Sequence, residues 1–215
     1  MNSKTLSEEI YSELYRDITK QNLKCGQKLT LKMLKNRFNV SHTPIREALM
    51  RLSENGLVDY YSNVGVKVVE FTQDDIRELY QFMAELDSMA ILFCGSSAVQ
   101  EPLLMDLEEI VEESTRLLEA GDQQRWKDYS EAFHTVFYRH ARNAYLEEAA
   151  AKLRAKLELL SCMYYKDQNV QRIHKGHLSI YNQVKDGKYK EAAASMRKHL
   201  HYDMAMAMKA YAEQK

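Results

Sequence analysis

The chain has 215 residues, of which 45% are hydrophobic, and a formal net charge of -1. A chain of this length buries roughly 70% of its unfolded surface, so one or two domains can fold without disulfides or metal staples. It has 2 Pro and 7 Gly, and so few helix breakers favour long helices. The sequence has neither a signal-peptide core nor an apolar run near about 18 residues, and its three cysteines are widely spaced. These features predict a cytoplasmic protein with reduced thiols and no membrane partner.

The distribution of charge is more informative than the net charge. Residues 1–72 contain 11 Lys and Arg against 8 Asp and Glu, whereas the rest of the chain contains 19 against 23. Residues 24–51 carry seven basic side chains and a single acidic one, Glu47. A local basic patch on a neutral protein is compatible with contacts to nucleic-acid phosphates.

Two short helices are predicted near the N-terminus. Apolar residues at four-residue steps predict the first helix, over residues 7–21, and their side chains should face inward: Ile10, Leu14 and Ile18. Residues 24–29 read as a turn, and residues 31–38 as the second helix.

A third helix follows from Ser41 and ends at the Asn55-Gly56 pair, which tolerates a left-handed conformation. Pro44 suits its first turn, and Ser41 or Thr43 can cap it. Four apolar residues share one face at helical spacing: Ile45, Ala48, Leu49 and Leu52. An amphipathic helix that is polar and basic at its start is typical of a DNA recognition helix, although the stretch alone fits an ordinary surface helix equally well.

The residues after this helix favour a DNA recognition helix over an ordinary surface helix. Two β-rich runs, 57–61 and 66–69, flank an Asn/Gly turn and predict a hairpin. Three helices followed by a hairpin form a winged helix-turn-helix, in which the third helix enters the major groove and the hairpin contacts the backbone or minor groove.

The pattern resembles the GntR-family winged-helix motif. The matching residues are Gly26-Gln27-Lys28-Leu29, Leu34, the segment from Val40 to Leu49, Leu52, Gly56-Leu57-Val58 and Gly65. The resemblance implies that five positions contact DNA: Lys32, Ser41, Thr43, Arg46 and Gly65. Where the family usually has Arg before Thr-Pro, this chain has His42. Because neutral His cannot form the two-pronged Arg–guanine contact, worth about 1–3 kcal/mol, His42 should contact DNA with a different base preference.

The remainder, residues 73–215, shows no strand signal. Thr72-Gln73-Asp74-Asp75 resembles a capping box, so the linker should be very short. Six amphipathic helices are predicted, over about residues 73–95, 102–121, 124–142, 145–167, 171–185 and 189–213. The whole chain is therefore predicted to be mainly α, with a winged helix-turn-helix at 1–72 and an all-helical bundle at 73–215.

Three histidines lie on the apolar faces of three predicted helices: His134, His177 and His199. They could converge on one metal ion, but a lone apolar-face histidine is more often a hydrogen-bonded core residue. His140, His174 and His201 are predicted to lie on the surface or flanks of their helices.

The bundle resembles the FCD effector domain of FadR-type GntR regulators. The matching segments are Phe133-His134 with Asn143 and Leu146, His177 to Tyr181, Asp186-Gly187, Ala192-Ala193 and Met196 to Leu200. The resemblance implies a bundle of six or seven helices in which one Asp and three His bind Zn²⁺ or a similar ion, such as Ni²⁺. It also implies an effector pocket that includes Met83 and Ser130.

This chain departs from the FCD pattern at three positions. Ser130 replaces the usual Asp, Met83 the Arg that clamps a carboxylate effector, and Gly176 a frequent Glu. Three imidazoles still suit a divalent transition metal, with lower affinity unless Glu131 or Asp128 supplies a carboxylate. Without that Arg, a neutral or more apolar effector is favoured over a small acid.

The sequence therefore predicts an effector-responsive transcriptional regulator, expected to be a repressor. It should bind double-stranded, pseudo-palindromic operator DNA as a homodimer and respond to a small molecule. The alternative is a metal-binding helical protein or metalloenzyme with an incidental winged helix. An enzyme is disfavoured because no general base, such as the Glu of an HExxH motif, accompanies the histidines. A third hypothesis is that the protein is a transcriptional regulator whose histidines line a polar pocket and bind no metal.

Overall fold

The computed structural model describes residues 5–61, 65–96, 100–161 and 167–213. The predicted hairpin turn at 62–64 and the end of the fourth bundle helix after residue 161 lie outside the described residues. The chain divides into two compact units. Unit 1 comprises Met1–Asp75 and Ala151–Cys162, and unit 2 comprises Ile76–Ala150 and Met163–Lys215.

Unit 1 begins with three helices: α1 (Leu6–Thr19), α2 (Leu31–Phe38) and α3 (His42–Glu54). Helix α1 starts with a capping box, in which Thr5 and Glu8 bind each other's backbone amides. Asn39 is the C-cap residue of α2 and Asn55 that of α3, and Gly56 follows Asn55 with a φ of 67°. These bounds confirm the predicted helices to within a few residues.

The hairpin is confirmed as β2 (Val58–Tyr61) and β3 (Gly65–Val68). The prediction that residues 24–29 form only a turn is wrong, because Lys28–Leu29 form a third strand, β1. Strand β1 pairs antiparallel with β3, Lys28 opposite Lys67 and Leu29 opposite Val66, which gives the sheet order β1-β3-β2. A two-residue strand has no detectable periodicity of its own, so only its pairing reveals it.

The core of unit 1 includes side chains distant in sequence. Ile10, Leu14 and Leu49 from the N-terminal helices pack in one buried cluster with Ala155 and Leu159. The last two belong to helix α7 (Ala144–Ser161), whose first turns lie in unit 2. The Tyr15 hydroxyl also donates a hydrogen bond to the Glu158 carboxylate. The winged-helix unit is therefore completed by one end of a bundle helix, a contribution that the predicted segment 1–72 does not contain.

In its described residues, unit 2 consists of helices joined by short turns. Besides the start of α7, its helices are α4 (Gln73–Gly95), α5 (Gln100–Glu119), α6 (Gln123–Ala141), α8 (Asp167–Lys185) and α9 (Tyr189–Ala212). The predicted cap of α4 is present, since the amide of Asp75 donates to the Thr72 hydroxyl at 3.1 Å and the amide of Thr72 donates to Asp75 at 2.8 Å.

The buried face of α4 includes a charged side chain among its apolar ones. Phe82 and Met89 are exposed, whereas Tyr80 and Asp87 are buried. A run rich in apolar residues does not specify which side of a helix is covered, and the packing here buries a polar residue in preference to two apolar ones. Across the described residues, no helix is long and apolar enough to span a membrane.

Candidate functional sites

Helix α3 presents its polar side to solvent. Ile45, Ala48 and Leu49 are buried in the core of unit 1, which leaves His42 and Arg46 exposed. Ser41 and Thr43 are exposed as well, and Ser41 occupies the N-cap position by its backbone. Within the described chain the Ser41 side chain makes no capping hydrogen bond, contrary to one of the two capping options.

The other two predicted DNA contacts lie in the same unit and are also exposed. Lys32 is in the first turn of α2, and Gly65 opens β3. Gly65 has a φ of 97°, a conformation that side-chain-bearing residues rarely adopt, so a glycine is required where the chain enters the second strand of the wing.

Not every basic residue of the 24–51 patch is available for phosphate. Arg37 forms ion pairs with Glu13 and Asp17, each at 2.5 Å. Although partial burial opposes it, hydrogen bonds from Asn22 and Arg37 hold the pKa of Asp17 below its usual value. Arg51 lies 4.6 Å from the centre of the Tyr11 ring. Arg37 and Arg51 therefore brace α1 against the helix-turn-helix, a role that spacing alone did not reveal.

Strand β2 adds two residues that the sequence analysis missed. Tyr60 and Tyr61 are 54% and 47% exposed, although both are large aromatic side chains. Partial burial raises the pKa of the Tyr60 hydroxyl, while the charge of Arg46 on α3 opposes that rise. The charge of Arg46 on α3 therefore acts on the hydroxyl of Tyr60 on β2. The signal of Tyr60 and Tyr61 in the sequence was two adjacent tyrosines before the Asn/Gly turn.

In unit 2 the three predicted histidines come together. His134 of α6, His177 of α8 and His199 of α9 are all buried, and their ligand nitrogens lie within 4.8 Å of one another. The Nε2 atom of His177 is 3.3 Å from Nε2 of His134 and 3.1 Å from Nε2 of His199. We call this arrangement the imidazole cluster. The Phe133 ring stacks on His177 with a centroid separation of 4.2 Å and forms an apolar wall.

A buried carboxylate of α4 contacts the side of His134 that faces away from the other two imidazoles. Nδ1 of His134 lies 2.7 Å from Oδ2 of Asp87, and the Tyr138 hydroxyl donates to Oδ1 of the same carboxylate at 2.5 Å. A carboxylate accepts, so this contact places the His134 proton on Nδ1 and leaves the lone pair of Nε2 facing the cluster. Asp87 was missed because it lies 47 positions from His134 and has no motif of its own.

A second buried carboxylate lies on the other side. Oδ2 of Asp203, one turn after His199 on α9, is 3.6 Å from Nε2 of His199. Asp203 is 4% exposed. Sequence reasoning missed this residue too, although its i, i+4 spacing from His199 was a detectable signal.

The positions of departure from the FCD pattern lie on buried faces. Ser130 is buried one turn before His134 on α6, and Met83 is buried on α4. Gly176 precedes His177 on α8, and a Cβ built on it would lie 2.8 Å from Nδ1 of His199. The absence of a side chain at Gly176 therefore makes room for the His199 ring.

The prediction for His174 needs correction. His174 is buried, with its ring nitrogens 3.4 Å from the Ser114 hydroxyl and 3.1 Å from the Thr115 hydroxyl. Burial lowers the pKa of His174 and so favours its neutral form. His140 is half-buried and lies 2.8 Å from Asp106. His201 is exposed, as predicted. Helical position alone did not predict the burial of His174, because α5 covers the face of α8 that carries it.

The imidazole cluster fits a transition-metal ion. Ligands held about 2.1 Å from one ion lie roughly 3.0–3.4 Å apart, depending on whether the angle is octahedral or tetrahedral. The Nε2 separations of 3.1 and 3.3 Å match that spacing. A single N–H on His177 cannot point at both neighbours, whereas a dication would accept all three lone pairs. Three neutral imidazoles favour Zn²⁺, Ni²⁺ or Co²⁺ over Mg²⁺ or Ca²⁺.

Comparison with known proteins adds independent findings. The family profile "Bacterial regulatory proteins, gntR family" matches residues 6–68, and that of the FCD domain matches residues 78–202. The chain is 25% identical over 198 residues to the HTH-type transcriptional repressor RspR of Escherichia coli K12, covering 91% of this chain and 86% of that protein. It is 26% identical over 187 residues to the HTH-type transcriptional regulator YdhC of Bacillus subtilis, covering 86% and 83%.

Among solved structures, E. coli McbR/YncC superposes with a TM-score of 0.81, covering 97% of this chain and 100% of that one. Its sequence identity is 19%, so the likeness concerns the fold.

Proposed function

Because the chain belongs to the gntR family of bacterial regulatory proteins and carries an FCD domain, it is a DNA-binding transcriptional regulator, and we propose that it represses transcription as a homodimer whose operator affinity is set by a metal-dependent effector site. The observation that carries the proposal is the pairing of an exposed, polar α3 surface in unit 1 with the imidazole cluster in unit 2. A DNA-binding regulator acts where the chromosome is, so we place its activity in the cytoplasm.

The surface of unit 1 supports sequence-specific recognition of double-stranded DNA. Arg46 can read a base edge from α3, while Lys32 supplies a phosphate contact from α2. Tyr60 and Tyr61 add hydroxyl donors on the wing. Two such surfaces, related by a two-fold axis, would read the half-sites of a pseudo-palindrome.

The DNA-binding part is tested with a fluorescence-anisotropy titration against DNA selected from a random pool by the wild-type protein. Arg46→Ala should cost about 1–3 kcal/mol, or 5- to 150-fold in Kd, and relax the preference at one base pair. Lys32→Ala should weaken binding to all sequences and reduce the salt dependence. Arg125→Ala, an exposed arginine of α6, is the matched control and should bind as the wild type does. Selection that enriches no sequence would refute the proposal.

The imidazole cluster supports the effector part. His134, His177 and His199 would hold a divalent ion, which as a Lewis acid can bind an oxygen or nitrogen atom of a small effector. Met83 and Ser130 would line the effector pocket and, without a guanidinium at residue 83, would favour a neutral or apolar ligand over a small acid. Coupling between effector and operator is typically about 1–3 kcal/mol in such systems, enough to change operator occupancy several-fold or more.

Metal analysis of the purified protein tests this part. We expect one divalent ion per chain, which is lost in His134→Ala and in His177→Ala. His201→Ala, an exposed histidine of α9, is the matched control and should retain the ion. A wild-type protein that takes up no metal after incubation with Zn²⁺, Ni²⁺ or Co²⁺ would leave the cluster as a polar pocket and refute the metal proposal, without affecting the DNA-binding result.

A further inference from the structure

We infer that Asp203 supplies the carboxylate ligand of this site, in place of the Asp that the family pattern would have at Ser130, and that Asp87 acts only as a positioning residue. This inference rests on the proposed metal-binding function of the imidazole cluster. It assigns different roles to two buried aspartates, because each one addresses a different edge of its histidine ring.

The edge of the ring separates the two roles. Asp87 contacts Nδ1 of His134, the nitrogen that points away from the other two imidazoles, and its second oxygen accepts from Tyr138. Both oxygens of the Asp87 carboxylate therefore make hydrogen bonds on the side of His134 that faces away from the other two imidazoles. Asp203 instead lies beside Nε2 of His199, which is the nitrogen that faces His177 at 3.1 Å. A carboxylate next to the ligating nitrogen is placed to share the ion.

The spacing supports direct ligation. Two ligands about 2.1 Å from one ion and at a tetrahedral angle lie roughly 3.4 Å apart, and Oδ2 of Asp203 is 3.6 Å from Nε2 of His199. The carboxylate oxygens of Asp203 do not lie within 4.8 Å of all three imidazole nitrogens, so the carboxylate must turn toward the cluster to bind the ion. The terminal torsion of Asp is broad and permits that rotation.

Neither carboxylate considered from the sequence is as well placed. Asp128 is exposed and Glu131 is half-buried on α6, whereas Asp203 is buried. Asp203 also adds a negative charge inside the site. Three neutral imidazoles with one carboxylate leave a bound dication with a net charge of +1, which Asp87 offsets from behind His134.

The test uses Co²⁺ bound to the full-length protein, because its visible d–d bands report the number and geometry of the ligands. Affinity is measured in parallel by competition with a chelator. Asp203→Asn should weaken Co²⁺ binding by more than about 100-fold and change the d–d bands, because a ligand is lost. Asp87→Asn should weaken binding by about 10- to 100-fold with the bands largely retained, as expected for an outer partner of a ligating histidine.

Two further variants make the result independent of folding. Adding Ser130→Asp to Asp203→Asn should restore affinity, since it returns a carboxylate to the position used by the family. Glu191→Gln, which removes an exposed carboxylate from the same helix as Asp203, should bind Co²⁺ as the wild type does. Thermal unfolding followed by circular dichroism identifies any variant that fails to fold.

The outcomes separate the two levels of the argument. If the wild type binds Co²⁺ and Asp203→Asn binds it with the same affinity and spectrum, the assignment of Asp203 is overturned while the metal site stands. If Asp87→Asn instead loses a ligand band and Asp203→Asn does not, the two roles are reversed and the inference is wrong. If the wild type binds no Co²⁺, the inference fails together with the proposed metal-binding function.

Discussion

Leu159 tests whether α7 is part of the DNA-binding unit. This side chain is 0% exposed and lies in the same buried cluster as Ile10, Leu14 and Leu49. Leu159→Ala removes three buried carbons and leaves a cavity, which costs about 2–5 kcal/mol at such sites. A unit of this size is stabilised by about 4–13 kcal/mol, so the substitution removes a large share of it.

The matched control is a leucine of the same helix in the other unit. Leu146 is buried near the start of α7 and belongs to unit 2. Leu146→Ala should destabilise unit 2 by a similar mechanism and leave the core of unit 1 intact. The two variants therefore compare the same substitution in one helix, with opposite expected targets.

Two probes distinguish the units. The single tryptophan, Trp126, is buried in unit 2, so its fluorescence during urea unfolding reports that unit. Hydrogen exchange of the amides in α1 and α3 reports unit 1. If those amides exchange through opening of the whole unit, a loss of 2–5 kcal/mol accelerates them by about 30- to 4,000-fold.

We expect Leu159→Ala to accelerate exchange in α1 and α3, weaken operator binding, and affect the Trp126 transition less than Leu146→Ala does. Unchanged exchange in α1 and α3 would refute the reasoning, because it would mean that Leu159 contributes nothing to the stability of the winged-helix core.

Three further predictions follow from single side chains. His42→Arg should shift the base preference toward guanine at one position by about 1–3 kcal/mol, measured by selecting DNA from a random pool with both proteins; identical selected sequences would contradict this. Gly176→Ala should lower metal affinity in chelator competition, because its Cβ would lie 2.8 Å from Nδ1 of His199. The helix should persist, since Ala favours a helix more than Gly does. An affinity equal to that of the wild type would contradict this prediction, because it would mean that the His199 ring can move aside. Burial lowers the pKa of His174, so the unfolded chain binds more protons than the native one and the free energy of unfolding falls as the pH drops below about 6.5. His174→Gln should reduce the difference between the free energies of unfolding measured in urea at pH 5.5 and 7.5. An unchanged difference would show that His174 does not cause this pH dependence.

Much of unit 1 could be predicted because its signals are local. Pro44, the Asn55-Gly56 stop and the four-residue steps of Ile10, Leu14 and Ile18 each act within one helical turn, so neighbours in sequence determine the helices. The exposed positions of His42 and Arg46 follow from the same periodicity. The sequence also placed the three histidines on the inward faces of their helices.

Only the tertiary structure decided which faces meet. In the sequence, Asp87 is one of several charged residues on an amphipathic helix, and only the packing of α4 buries it against His134. Asp203 gained its place from the approach of α9, and Leu159 from the packing of α7 into unit 1. Periodicity identifies the face of a helix but carries no information about the element that covers it, because that choice depends on contacts between segments far apart in the chain. The sequence thus determined the winged helix-turn-helix and three candidate metal ligands. The packing placed the carboxylates around those histidines and completed the core of the winged-helix unit.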